Sequence, residues 1–157
     1  MGRRTPEGVG SRRESRERAL SLLYEAEVKG CDPLDDVLAH LVLEPEPFAA
    51  DVVTGVSRHQ PEIDALISGV ARGWALERMP LVDRNLLRMG VYELAHRPDV
   101  PTGAVISEAV ELAKEYSTDE SGGFVNGVLS RLAGDLRPDG STDAGGDDTA
   151  TINPEGR

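Results

Sequence analysis

Residues 105–132 read VISEAVELAKEYSTDESGGFVNGVLSRL, and the reading of this stretch decides the fold. Val105, Ile106, Ala109, Val110, Leu112, Ala113 and Tyr116 recur at the three-and-four spacing of a buried helix face, with Glu108, Glu111, Lys114 and Glu115 opposite. Phe124, Val125, Val128, Leu129 and Leu132 make a second stripe of the same kind. Between the stripes, Ser117 to Gly123 cannot continue a helix cheaply. Glycine loses the most backbone freedom on folding, and short polar side chains compete for backbone hydrogen bonds. The pattern predicts a helix, a polar corner and another helix.

The remainder of the 157-residue chain is long enough for one domain with a substantial core. A single cysteine, Cys31, excludes an intrachain disulfide and a cysteine cluster for zinc. No apolar run reaches bilayer length, and the Arg-rich N-terminus lacks the apolar core of a signal peptide, so a cytoplasmic, reducing location is expected. The net charge of −11 argues against an RNA partner only if evenly spread. It is polarised instead: residues 1–18 hold six arginines and three glutamates, whereas the body and the C-terminal end are acidic. An anionic ligand would meet the N-terminal end first.

Taken in order, residues 1–10 read as a flexible basic arm, residues 11–133 as a helical domain, and residues 134–157 as a disordered acidic tail. From Ser11 to Lys29 a basic segment with Arg12, Arg13, Arg16 and Arg18 runs into an apolar stripe of Ala19, Leu20, Leu22, Leu23 and Ala26. Arg12, Arg13 and Arg16 lie on one side of that helix. Cations in the first turns oppose the helix dipole, so something other than helix stability retains them. Gly30 ends the helix, and Asp32-Pro33 restarts one as cap and first residue. A break at Glu44–Pro47, a kink at Gln60-Pro61 and a turn from Gly73 to Pro80 separate further apolar stripes. In the turn, Trp74, Leu76 and Met79 are available to plug a junction between helices. Gly90, inside a helical pattern, implies close approach of another helix. Thr102 is placed to cap the helix of residues 105–116. Period-two alternation is absent, so the expected class is all-α.

Little in the sequence asks for catalysis. His40, His59 and His96 lie in separate segments without a second His or Cys at ligand spacing, which favours surface or capping roles over a metal. There is no nucleophile elbow, phosphate-binding loop or dinucleotide fingerprint, and no cofactor is expected. Glu108, Glu111 and Glu115 read as a solvated stripe rather than an acid–base pair. Gly122-Gly123 is a weak phosphate signal beside Asp119 and Glu120. Phe124 by pattern is core, and Tyr24 sits at the border of its stripe. Either ring, if exposed, could stack a single-stranded base, worth roughly 1–3 kcal/mol.

The Arg-rich segment leading into ERALSLLYEAE, then VDRNLLRMGVYEL, DVPTGAVISEAVELAKEYS and finally FVNGVL after the Ser/Asp/Gly corner, resemble the bacterial NusB antitermination family in order and spacing over about residues 11–133. The resemblance implies two small helical bundles packed as one compact domain, about six to seven helices, without catalysis. It implies binding of single-stranded boxA RNA together with NusE, the ribosomal small-subunit protein, within an antitermination complex on RNA polymerase. The implied RNA contacts are Arg12, Arg13 and Arg16, with Glu120 and Phe124 at the corner. The implied NusE-facing residues are Tyr24, Asp83 and Arg88. Gly123 stands where some members place a basic residue, and Asp83 where others have glutamate.

Two consequences are expected. The acidic chain alone binds RNA weakly and with modest salt sensitivity, and a basic partner strengthens binding. Replacing Arg12, Arg13 and Arg16 together by alanine abolishes RNA binding and spares folding. Two other readings remain: an RNA-binding domain like that appended to ribosomal RNA cytosine methyltransferases, and a helical adaptor or homodimer that binds protein only.

Overall fold

The computed structural model describes residues 9–138, which hold six α-helices and no strand. Most of the expected arm and tail lies outside the described residues. The helices are α1 (Val9–Lys29), α2 (Pro47–Arg58), α3 (Gln60–Val70), α4 (Leu81–His96), α5 (Thr102–Tyr116) and α6 (Asp119–Leu136). Short 3-10 turns at Leu34–His40 and Leu76–Arg78 join them. No described helix is long and apolar enough to cross a membrane.

The helix boundaries follow from local chemistry. Gly30 has φ +72°, the left-handed conformation that closes α1. Pro47 and Pro61 occupy the first turns of α2 and α3, where a missing N–H costs nothing. After Asp32-Pro33 the chain makes the 3-10 turn rather than an α-helix, with Pro33 at the cap position. The corner between α5 and α6 is tighter than its composition suggests. Only Ser117 and Thr118 separate the helices, and both glycines lie inside α6. Thr118 supplies the reason, because its hydroxyl caps the helix by accepting the Ser121 N–H at 3.0 Å. Asp119 and Glu120 then suit the positive end of the helix dipole. A side chain at Gly122 would press on the Lys114 stem at 3.0 Å, so glycine there lets α5 and α6 approach.

α1 and α2 pack with the first 3-10 turn at one end, and α5 packs with α6 at the other, while α3 borders α4 and α6. α4 lies between and touches α1, α2, α3, α5 and α6. Its residues from Asn85 to Leu94 are all buried. Gly90 faces α6 as anticipated, since a Cβ there would stand 2.7 Å from Leu129 Cδ1. The α1 stripe is buried throughout, and Val105, Ala109, Leu112, Ala113, Val125, Val128, Leu129 and Leu132 are core. Tyr116 departs from its stripe and is 49 % exposed.

A helix surrounded on all sides must pair its polar groups internally, and α4 does so for its charged side chains, although one atom each of Asp83, Asn85 and Arg88 is buried without a hydrogen bond. Arg16 of α1 reaches Glu93 with a two-pronged ion pair, Nε at 3.0 Å and Nη2 at 2.6 Å. Arg88 donates to both carboxylate oxygens of Asp64 in α3, and its Nη1 lies 3.3 Å from Glu27 in α1. Burial alone would lower the Arg88 pKa, but the Asp64 and Glu27 carboxylates outweigh it and raise it above the ordinary arginine value. Burial and the Asp51 carboxylate push the Tyr92 hydroxyl up to about 12.

At the far end, α6 runs three residues beyond Ala133, into the stretch expected to be disordered. Arg137 explains the extension. It is 9 % exposed and donates to the carbonyls of Glu93, Leu94, Arg97 and Val100. The Thr102 hydroxyl also accepts from Arg137, at 2.9 Å. Thr102 therefore does not cap α5, whose cap position is Pro101.

Candidate nucleic-acid and partner interface

The expected site residues separate into exposed and buried sets. At the α5–α6 corner, Glu120 is exposed and Phe124 is half-buried. Phe124 is not core: its ring lies 5.8 Å from that of Trp74, tilted by 52°. Trp74 is itself 53 % exposed rather than plugging a junction. The two rings flank a cleft of about 190 Å³ that also involves Met79, Pro80, Asp83, Thr118, Glu120 and Ser121. Such a pair offers a π-face on which an unstacked base can rest. Glu120 at the rim is an acceptor suited to a base amino group, in the way carboxylates read cytosine N4.

A second concavity of about 380 Å³ lies beside it, lined by Glu17, Leu20, Ser21, Tyr24, Val82 and Tyr116. Tyr24 is 44 % exposed, which settles its border position in favour of the surface. The hydroxyl of Tyr116 donates to Glu17 at 3.1 Å, and this carboxylate raises the Tyr116 pKa. With two half-exposed tyrosines and apolar walls, the groove suits a protein side chain better than a phosphate.

On the basic segment, Arg12 and Arg13 are partly exposed and Arg16 is not. The Arg12 guanidinium lies 4.1 Å from the centroid of the Phe48 ring, with those of Arg97 and Arg16 at 4.9 Å and 5.3 Å from the same ring. Arg97 is also held by Asp51 and Asp99, each at 2.9 Å, and the pairing raises its pKa above the ordinary arginine value. Arg13 bridges to Glu108 at 3.2 Å and Glu115 at 3.7 Å on α5. The Arg13–Glu108 pair is part-buried and the Arg13–Glu115 pair more open, and surface pairs of the latter kind are worth about 0–1 kcal/mol, so exchanging Glu115 for a phosphate costs little.

Three expectations require correction. Arg16 is 4 % exposed and committed to Glu93, because its position faces α4 rather than solvent. Arg88 is 4 % exposed and enclosed by Asp64 and Glu27. Asp83 is 4 % exposed and accepts a 2.8 Å hydrogen bond from the Ser121 hydroxyl, which ties α4 to the corner. As placed, Asp83 lines the aromatic cleft from beneath, and Arg88 braces α4 against α3 and α1. Trp74 and Tyr116 were not anticipated as surface aromatics. The available signal was Gly73, whose φ of +83° turns the chain just before Trp74.

The basic helix and the corner meet along one seam. Arg13 reaches Glu115, Glu17 reaches Tyr116, and Ser117 and Thr118 follow directly. Val82 and Asp83, consecutive in α4, belong one to each concavity. The tyrosine groove and the aromatic cleft are thus neighbours on α4, and Arg13 stands beside the groove through Glu115 and Tyr116.

Comparison with known proteins agrees with this architecture. The family model described as NusB family matches residues 13–134. The transcription antitermination protein NusB of Thermobifida fusca (strain YX) is 51 % identical over 127 residues, covering 78 % of this chain and 89 % of that protein. The protein of the same name from Kineococcus radiotolerans is 48 % identical over 129 residues, covering 80 % and 94 %. Among solved structures, NusB of T. maritima superposes with a TM-score of 0.72 at 35 % identity, over 83 % of this chain and 92 % of that one. A chain from a crystal structure of antitermination factors NusB and NusE in complex with dsRNA matches with a TM-score of 0.66 at 31 % identity, covering 78 % and 95 %. The chain belongs to the NusB family.

Proposed function

We propose that the protein is a non-enzymatic transcription antitermination factor that binds single-stranded boxA RNA jointly with NusE and joins an antitermination complex on RNA polymerase, in the cytoplasm. The observation that carries this reading is the contiguity of the aromatic cleft at Trp74, Glu120 and Phe124 with the tyrosine groove at Tyr24 and Tyr116. An RNA on the first and a protein on the second would touch each other. Relatives named as antitermination proteins, and a neighbour solved with NusE and dsRNA, support the same assignment.

In this mechanism the division of labour follows residue chemistry. Arg12 and Arg13 hold phosphates without reading sequence, and the corner reads splayed bases through Phe124 stacking and the Glu120 acceptor. Tyr24 and Tyr116 anchor NusE. Asp83, Arg16 and Arg88 act as positioning residues that fix α4 beneath both surfaces. Because the chain carries a net charge of −11, its own phosphate attraction is limited, and a basic partner supplies the rest. Titration of a boxA RNA with and without NusE at two salt concentrations tests the scheme. Affinity should rise with NusE, and the salt dependence should steepen. Equal affinity in both cases would overturn the cooperative reading. Arg12→Ala with Arg13→Ala, or Phe124→Ala alone, should weaken RNA binding while leaving the fold intact.

A further inference from the structure

His59 and His96 are separated by 37 positions in the chain, yet their rings stack with centroids 4.1 Å apart and 19° between planes. His59 sits at the junction of α2 and α3, where its backbone is fixed at both ends. Its N–H donates to Gly55 at 3.0 Å, and its carbonyl accepts from Ile63 at 3.0 Å. His96 lies in the last turn of α4 and stacks also against Tyr92, with centroids 5.4 Å apart. Glu62, in the first turn of α3, places a carboxylate oxygen 3.4 Å from His59 Nδ1. One ligand atom from each of His59, Glu62 and His96 lies within 4.8 Å of the others.

We propose that His59, Glu62 and His96 form a zinc site that clips the α2–α3 junction to the C-terminal end of α4. Two imidazole nitrogens and one carboxylate oxygen are a known three-residue donor set for zinc, with a fourth position left for water. Calcium and magnesium, which prefer all-oxygen shells, do not fit it. Metal–ligand distances of about 2.0–2.2 Å require the donor atoms to draw closer than they stand. Glu62 can supply that movement, since its side chain is 68 % exposed. The imidazoles must also swing out of their stack, since each nitrogen lone pair lies in its ring plane; the exposed ring of His96 is free to turn, while the backbone of His59 is fixed. A groove lined by Glu62, Ala65, Leu66, Ala95, His96 and Leu136 opens beside the cluster and gives solvent access. None of the three ligands belongs to the RNA or NusE surface, so the inference is independent of the proposed function.

The experiment uses the full chain, stripped with a chelator and titrated with Zn²⁺ by calorimetry, with Co²⁺ as a spectroscopic probe. One Zn²⁺ should bind per chain, and the Co²⁺ spectrum should lack a thiolate band. Zinc should also raise the melting temperature. His59→Gln and His96→Gln should each weaken binding by about tenfold or more, as loss of a ligand or its support does. Glu62→Gln should have a smaller effect, while His40→Gln and Cys31→Ser should bind as the parent does. His59→Gln and Glu62→Gln keep the test informative if His96→Gln loosens α4. Absence of stoichiometric binding, unchanged affinity in the two His59 and Glu62 variants, or loss of binding in Cys31→Ser would overturn the site.

Discussion

Among the arginines of α1, neighbouring positions do opposite things. Arg13 rests on Glu108 and Glu115 at the surface, whereas Arg16 is sealed against Glu93, which is itself 2 % exposed. Removing Arg16 leaves a buried carboxylate without its counter-charge, a change that typically costs about 3–5 kcal/mol. Arg16→Ala should therefore lower stability by an amount of that order in urea denaturation, while Arg12→Ala and Arg13→Ala together should cost less than about 1 kcal/mol. The triple replacement cannot serve as a clean RNA-binding test, contrary to the expectation from sequence. Arg12 and Arg16 share the Phe48 ring while Arg13 turns to α5, and the partner of Arg16 lies 77 positions away, so no local pattern announces it. The same holds for Arg88, whose partners Asp64 and Glu27 come from two other helices. The helix dipole is no guide to Arg16, because α1 starts at Val9 and Arg16 stands beyond its first turn.

At the scale of elements, periodicity was the dependable guide. The stripes of α1, α5 and α6 are buried where apolar spacing put them, because a helix face either packs or is wasted. Ends and exceptions were harder to read. Two glycines suggested a loop, but a capping threonine and a neighbouring lysine stem make them the first turn of α6. Tyr116 and Phe124 fit their stripes by spacing yet reach solvent, Tyr116 in the groove with Tyr24 and Phe124 beside Trp74. Gly90 was legible, and its packing gives a quantitative test. Gly90→Ala drives a methyl to 2.7 Å from Leu129 Cδ1, a side chain with no exposure. The expected loss is about 1–3 kcal/mol, typical of overpacking. Introduced into a Leu129→Ala background, the same change should cost clearly less, because the two sites share one space. Equal cost in both backgrounds, measured by thermal melts, would show that the clash is relieved elsewhere.

For the molecule as a whole, α4 is the shared wall of the two bundles, and Arg137 fastens its end. This guanidinium gathers four carbonyls where α4 stops and the connection to α5 begins, two of which, Glu93 and Arg97, also accept a backbone N–H. Hydrogen bonds to a charged donor contribute about 1.5–3 kcal/mol each, without simple additivity. Arg137→Ala should lower stability by more than about 2 kcal/mol and speed amide exchange around residues 97–102. Arg137→Lys should rescue little, since an ammonium cannot span a ring of carbonyls in the way a planar fork does. Composition alone could not separate Arg137 from the polar residues that follow it, because its role exists only once α4, α5 and α6 are assembled.

The position of Arg137 also bears on how the protein is made. A chain leaves the ribosome from its N-terminus, so α1 through α5 emerge before the residue that closes the α4–α5 connection. Until then the carbonyls of Glu93 and Arg97 keep only their backbone donors, the N–H groups of Arg97 and Val100, those of Leu94 and Val100 wait for the guanidinium, and the bundle lacks its clasp. The aromatic corner is built on the same late helix. Completion of the fold and completion of the surface proposed to hold RNA therefore arrive together, with the last helix of the domain.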